Sequence, residues 1–212
     1  MSDNYGLIKT IKNSVVLVCD HLTSEGERGV HLAKAMRLHG NLVYYLTNAP
    51  LHERQIKGLF LVKRDENDII IIETPTLQRI LPWSGLLIKT LIVLSHVLLM
   101  FMAAFCILPK LKRVDVILCR GIHPLTDLLG IFLKKVTKAV LLIDICDPVI
   151  EGLKVIKTNR VLRFLSISIG NALMKMSFSM ADGIITHTIS MKRVLSKYTN
   201  KKIFVIYNPI DT

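Results

Sequence analysis

The stretch that most constrains what this chain can fold into is residues 140–152, VLLIDICDPVIEG. Ala139 and the run Val140, Leu141, Leu142, Ile143 pass directly into Asp144, Ile145, Cys146, Asp147 and Pro148, with neither a helical nor an alternating period. A buried parallel strand, apolar on both faces, reads this way when it delivers acidic residues at its carboxyl end. Ligands of open α/β sheets sit outside the carboxyl ends of the strands, so the two carboxylates are expected to face a crevice. The alternative is that Asp144 and Asp147 cap the next helix or bind loop amides. Two of them on one strand exit, followed by Glu151, favour a site.

Short apolar runs and amphipathic stretches alternate along the rest of the chain. Residues 14–19 (SVVLVC) read as a strand, and 20–29 (DHLTSEGERG) as a polar loop containing Gly26, Glu27 and Arg28. Residues 30–38 carry apolar side chains at Val30, Ala33, Ala35 and Leu38, an amphipathic helix ended by Gly40, and 42–46 form the next strand. In such a βαβ unit the loop glycines admit close approach of a ligand, and the helix start offers free N–H groups to an anion; a simple turn is the alternative. The spacing is not GxGxxG, so no dinucleotide fingerprint is present. Residues 51–67 are charged and read as a helix or irregular connection. Strands follow at 68–73 (DIIIIE) and 114–119 (VDVILC), the latter with an exit loop carrying His123. A helix through 128–133 runs into Lys134 and Lys135, cations suited to the carbonyl end of its dipole. The expected fold is α/β, a single Rossmann-like domain whose mostly parallel sheet of about seven strands is flanked by helices.

Charge and hydropathy point to a partner. Of the 212 residues 51% are hydrophobic, mean hydropathy is +0.45, and the net charge is +12 with a pI near 9.7. Such a basic excess favours nucleic acid, phosphorylated substrates or an acidic lipid surface, and the apolar excess points to lipid. No aromatic-plus-basic RNA motif, zinc-finger spacing or Arg-rich run is present, so nucleic acid is not expected. Residues 90–109 hold no formal charge, and as a helix at ~1.5 Å per residue they would cover the roughly 30 Å of a bilayer core. A true span would put the strands before and after it on opposite sides of the membrane and prevent a single sheet. Trp83, Lys89, Lys110, Lys112 and Arg113 suit instead a helix at about 84–109 that covers the sheet with one face and meets headgroups with the other. An ordinary core helix is the alternative. Lys154, Lys157, Arg160 and Arg163 recur every third residue through 153–165, a stripe that fits anionic lipid or a solvated face. Cys19, Cys106, Cys119 and Cys146 lack CxxC spacing and read as free buried thiols. His21, His31, His39 and His187 make no metal spacing with carboxylates, and no metal is expected. The amino terminus carries no cleavable apolar signal, which leads to the expectation of a cytoplasmic protein at the inner face of a membrane.

The last third contains Ala181, Asp182, Gly183, Ile184, Ile185 and Thr186, then Ser190 and Met191, then Val205, Ile206, Tyr207, Asn208, Pro209, Ile210 and Asp211. Here the chain resembles the amino-terminal domain of glycosyltransferase family 4, whose strand "aDgiit.s..m...l" leads to "ipNgvD". The family's "DvRDlwPE" is similar to 144–151, with Asp144, Asp147 and Glu151 in step. Its opening "gG.e.h...La.aL...GheV" is similar to Gly26 and Glu27 through His31, Leu32, Ala33 and Gly40. Four motifs in order cover nearly the whole chain.

The resemblance implies the amino-terminal half of the two-domain GT-B architecture and a retaining transfer of sugar from a nucleotide-sugar to an acceptor. The donor would be gripped mainly by a carboxyl-terminal domain, which the chain, ending at Thr212, is expected to lack. No further cofactor is implied. Asp147, Glu151, His123, Gly26, Glu27 and Arg28 become candidate acceptor-side residues, while Asp144 is structural beneath them and Asn208 and Asp211 cap or hinge the interdomain link. For His123, Glu27 and Arg28 an exposed, solvated loop is the alternative. Cys146 departs from the family, where many members carry His or Arg. The expected partners are a donor-domain polypeptide, an anionic membrane surface and a lipid-linked or glycan acceptor. A noncatalytic membrane-surface scaffold that kept the fold, or a small single-domain nucleotide-binding enzyme, are the competing readings.

Overall fold

A computed structural model describes residues 13–20, 28–50, 60–76, 86–110, 113–120, 124–146 and 160–207. In chain order the elements are β1 (Val15–Cys19), α1 (Arg28–Leu38), β2 (Leu42–Pro50), β3 (Leu61–Arg64), β4 (Ile70–Thr76) and α2 (Leu86–Ile107). A short 3₁₀ turn, Leu108–Lys110, follows, then β5 (Val116–Arg120), α3 (Pro124–Thr137), β6 (Val140–Ile145), α4 (Arg160–Met180), β7 (Gly183–Thr186), α5 (Ile189–Leu195) and β8 (Ile203–Val205). They build one eight-stranded sheet in the order β3-β4-β2-β1-β5-β6-β7-β8. All neighbours are parallel except β3, which pairs antiparallel with β4.

The seven parallel strands match the expected sheet, and β3 is an addition. It lies inside the charged stretch read as a helix or irregular connection. Its side chains alternate between half-buried and exposed, the period-2 pattern of an edge strand, and its Lys63 pairs with Glu73 of β4. A four-residue strand with two cations carries too little apolar signal to be recognised alone. Residues 51–59 lie outside the described residues.

The sheet separates two cores. On one face α1 packs Leu32, Ala33 and Met36 against Val16, Val18 and Val43. On the other, α2, α3 and α4 bring Met100, Ala104, Leu129, Leu133 and Phe178 onto Leu17, Leu46, Ile117 and Ile143. The central strands are therefore buried on both sides, as the unbroken apolar runs require. Gly130 lets α3 sit close to the sheet, since a Cβ there would meet the Cys119 Sγ at 2.2 Å.

Helix α2 occupies the expected apolar stretch and does not span a bilayer in this fold. The strands on either side of it, β4 and β5, lie in the same sheet. Among the described residues no helix is long and apolar enough to cross a membrane. Cys19 and Cys119 are buried free thiols, but Cys106 faces outward on α2 and Cys146 is half-buried, so the expectation of four buried thiols is corrected. A helix apolar throughout its second half gives no sequence signal there for which of its faces meets the sheet.

Candidate functional site

The connections from β1 and β5 leave in opposite directions along the sheet, because β1 leads to β2 on one side and β5 leads to β6 on the other. That is a topological switch point, where the two outgoing connections part and open a crevice at the carboxyl edge. Asp20 follows the last residue of β1, and Arg120 is the last residue of β5. They meet across the switch point, Arg120 Nη1 donating to Asp20 Oδ2 at 3.2 Å. Tyr45 of β2 donates its hydroxyl to the same oxygen at 2.8 Å. Asp20 is fully buried and Tyr45 is 3% exposed, so the carboxylate is held from two strands beneath the edge.

A second pair lies beside the first. Arg28, the opening residue of α1, donates from Nε to both oxygens of Asp144 in β6, at 3.1 and 2.9 Å. The two side chains are 3% and 1% exposed, and they join residues 116 positions apart in sequence. Gly29 makes room for this arrangement, since a Cβ there would stand 2.2 Å from Asp20 Oδ2 and 2.8 Å from the Tyr45 hydroxyl. The two cations and two carboxylates balance in formal charge, a condition for burial at this depth. Burial pushes the Asp144 carboxyl above the usual range, opposed by Arg28 and, more weakly, by Arg120. The Cys146 thiol is pushed up to about 12 by burial and then by the Asp144 charge, so it stays protonated at neutral pH and is no nucleophile.

The expected site residues divide accordingly. Asp144 does not present an open carboxylate to the crevice; it is buried and held by Arg28. Arg28 is not a solvated loop residue, because α1 begins two residues earlier than its apolar period and draws Arg28 into the core. Gly26, Glu27, His123, Asp147, Glu151, Asn208 and Asp211 lie outside the described residues. Sequence reasoning passed over Asp20, Tyr45 and Arg120. The signal was present for two of them: SVVLVC is followed by Asp20 and VDVILC by Arg120, each a charge closing an apolar run, as Asp144 closes VLLI. Tyr45 carries no such mark.

Asp182, in the stretch that resembles the family's "aDgiit", stands at the amino-terminal side of β7, away from this edge. It accepts from Lys134 Nζ at 2.7 Å and from the Leu141 amide at 2.8 Å, tying α3 and β6 to β7. Its role is architectural. Among the described residues no three His, Cys, Asp or Glu side chains group as metal ligands. The described part of the site is thus a buried floor of two ion pairs at the switch point.

No protein-family model matches the chain, and no curated protein does. Among solved structures it is similar to sucrose-phosphate synthase from Thermosynechococcus elongatus, with a TM-score of 0.60 and 12% identity over 91% of this chain and 47% of that one. A second structure of that synthase gives 0.55 and 12% over 93% of this chain and 89% of its own. Arabidopsis thaliana UGT89C1 complexed with UDP-L-rhamnose gives 0.47 and 14% over 92% and 52%. The chain spans about half the length of the first of these, and identity this low speaks to the fold alone. That fold is the α/β fold found in glycosyltransferases of the GT-B type.

Proposed function

We propose that the chain is the acceptor-side half of a retaining glycosyltransferase similar to family 4, acting with a second Rossmann-like domain that binds a nucleotide-sugar. The single observation that carries this reading is the paired network Asp20–Arg120 and Arg28–Asp144 at the switch point, in a fold shared with sucrose-phosphate synthase. Such a floor fixes the strand ends from which acceptor-binding loops depart. Asp147 and Glu151, which follow β6 in sequence, would hold acceptor hydroxyls, and His123, Gly26 and Glu27 would contribute to the same acceptor side. Arg28 serves as a positioning residue through Asp144. Asn208 and Asp211 would hinge the two halves. In the transfer the acceptor oxygen replaces the diphosphate oxygen at the anomeric carbon. The charge developing on the diphosphate is met by cations and helix N-termini of the donor half, while this half aligns the acceptor. A polyprenyl-diphosphate-linked sugar or a glycolipid suits the basic, apolar character of the chain.

The test is to express the chain together with whatever the gene encodes after Thr212, or with a neighbouring donor-domain polypeptide. Membranes and a panel of labelled nucleotide-sugars are then supplied. Transfer into lipid-linked or glycan product is expected, falling about 10²-fold in Asp147→Ala through loss of acceptor alignment. An assembled protein that neither transfers nor hydrolyses any nucleotide-sugar would overturn the proposal in favour of a noncatalytic scaffold.

A further inference from the structure

Helix α2 is apolar along most of its length, Lys89, Thr90, Ser95 and His96 being its polar residues, yet the sheet covers only one side of it. Val97 is buried, and Met100, Ala104 and Ile107 pack into the core against the sheet. Opposite them Leu91, Leu94, Leu98, Met102 and Phe105 recur at intervals of three and four and stand exposed, Leu98 to 62% and Phe105 to 56%. The exposed stripe continues across the neighbouring helices. The Phe105 ring lies 5.0 Å from Phe132 of α3, Val136 of α3 is exposed, and on α4 Phe164 and Ile169 are exposed to 69% and 58%. Of the sixteen large apolar side chains exposed among the described residues, ten lie on these three helices. A water-facing layer would not be built this way.

Charge identifies what covers it. Residues 74–114, 128–143 and 152–181, which build and flank the three helices, hold five, three and five Lys or Arg and no Asp or Glu. Asp127, at the start of α3, is buried. Everywhere else in the chain fifteen Lys and Arg stand against all sixteen Asp and Glu, so the whole net charge of +12 arises in these segments. Of the cations in these segments Lys135, Lys138 and Lys175 are exposed, while Lys134 pairs with Asp182 and Arg113 with Asp115. An apolar face on helices whose own segments carry such a cation excess complements an anionic bilayer surface. A second copy presenting the same face would bring like charges together.

We infer that the α2–α3–α4 layer is a monotopic docking face for anionic lipid, its apolar side chains entering the headgroup–acyl boundary while the sheet lies flat above it. The docking claim stands on the surface itself; only its consequence for the acceptor rests on the function proposed above. With the helix layer lying on the membrane, the sheet runs parallel to the bilayer, about 10 Å beyond the helix axes. The switch-point crevice then opens sideways, along the membrane plane. An acceptor with a lipid-anchored tail would reach it without leaving the bilayer.

The experiment is flotation of the chain, with whatever follows Thr212, on phosphatidylcholine vesicles with and without phosphatidylglycerol. Leu98→Glu/Ile169→Glu is compared with Val62→Glu, which alters an exposed apolar residue on edge strand β3. All three sites are exposed, and circular dichroism checks that the variants keep the fold. Flotation with anionic vesicles is expected, partly salt-resistant, reduced about tenfold for each layer side chain substituted and unchanged by Val62→Glu. A fluorophore on Cys106, exposed on α2, should shift to the blue on vesicle addition. No flotation, equal loss from both substitutions, or a lipid-free dimer abolished by Leu98→Glu/Ile169→Glu would overturn the inference. Failure of vesicle binding leaves nucleotide-sugar turnover untouched, and failure of turnover leaves vesicle binding untouched, so the two proposals fall separately.

Discussion

At the scale of single residues, burial decides the outcome more than identity does. Asp144 and Arg28 were both legible as charged residues near a strand exit and a helix start, but their mutual pairing was not, because 116 positions separate them. Only the assembled sheet brings them together. Asp144→Ala leaves a buried guanidinium without its carboxylate and is expected to cost about 3–5 kcal/mol in urea unfolding. The double change Arg28→Met/Asp144→Leu should recover most of that. Asp127 gives a pH test: burial raises its carboxyl to about 7, against a weaker lowering by the Ser177 hydroxyl. A carboxyl raised on folding binds its proton more tightly in the folded state, so stability falls as pH rises from about 4 to about 7 and levels off above that. Asp127→Asn removes this slope. Relative to wild type, it should gain stability between pH 5 and pH 8, read from denaturant midpoints at both values.

At the scale of elements, the strands were legible because continuous apolar runs leave few alternatives, and their limits moved by only a few residues. Less legible was where each helix would touch the sheet. Gly130 marks one such contact, invisible as a lone glycine inside a helical stretch until Cys119 is seen beneath it. Gly130→Ala would press a methyl group into the Cys119 sulfur and Leu141, and overpacking of this kind costs about 1–3 kcal/mol in thermal or urea unfolding. Lys138, closing α3, has φ of +61°, a left-handed conformation that glycine adopts freely. Lys138→Gly should therefore stabilise the protein by about 1 kcal/mol, measured in the same assay.

At the scale of the whole molecule, a parallel α/β sheet could be foreseen from alternation alone, whereas β3 and the network at the switch point could not. The first is too short to signal itself, and the second depends on strand order. Order also ranks local stability. β1, β5 and β6 are buried on both faces and paired on both edges, while β3 pairs with β4 alone. Hydrogen exchange should accordingly be slowest in β1, β5 and β6 and fastest in the edge strands β3 and β8, a ranking that protection nearer uniform would contradict.

Strand order carries a consequence for synthesis. Every strand on one side of the β1–β5 boundary comes from residues 15–76 and every strand on the other from 116–205. A chain leaving the ribosome therefore completes the left half before any residue of the right half is made. Val16 waits for Val116, a hundred residues later, or roughly 5–20 s at ordinary elongation rates. During that interval one of the two central strands of the finished protein is an open edge, a target for nascent-chain chaperones.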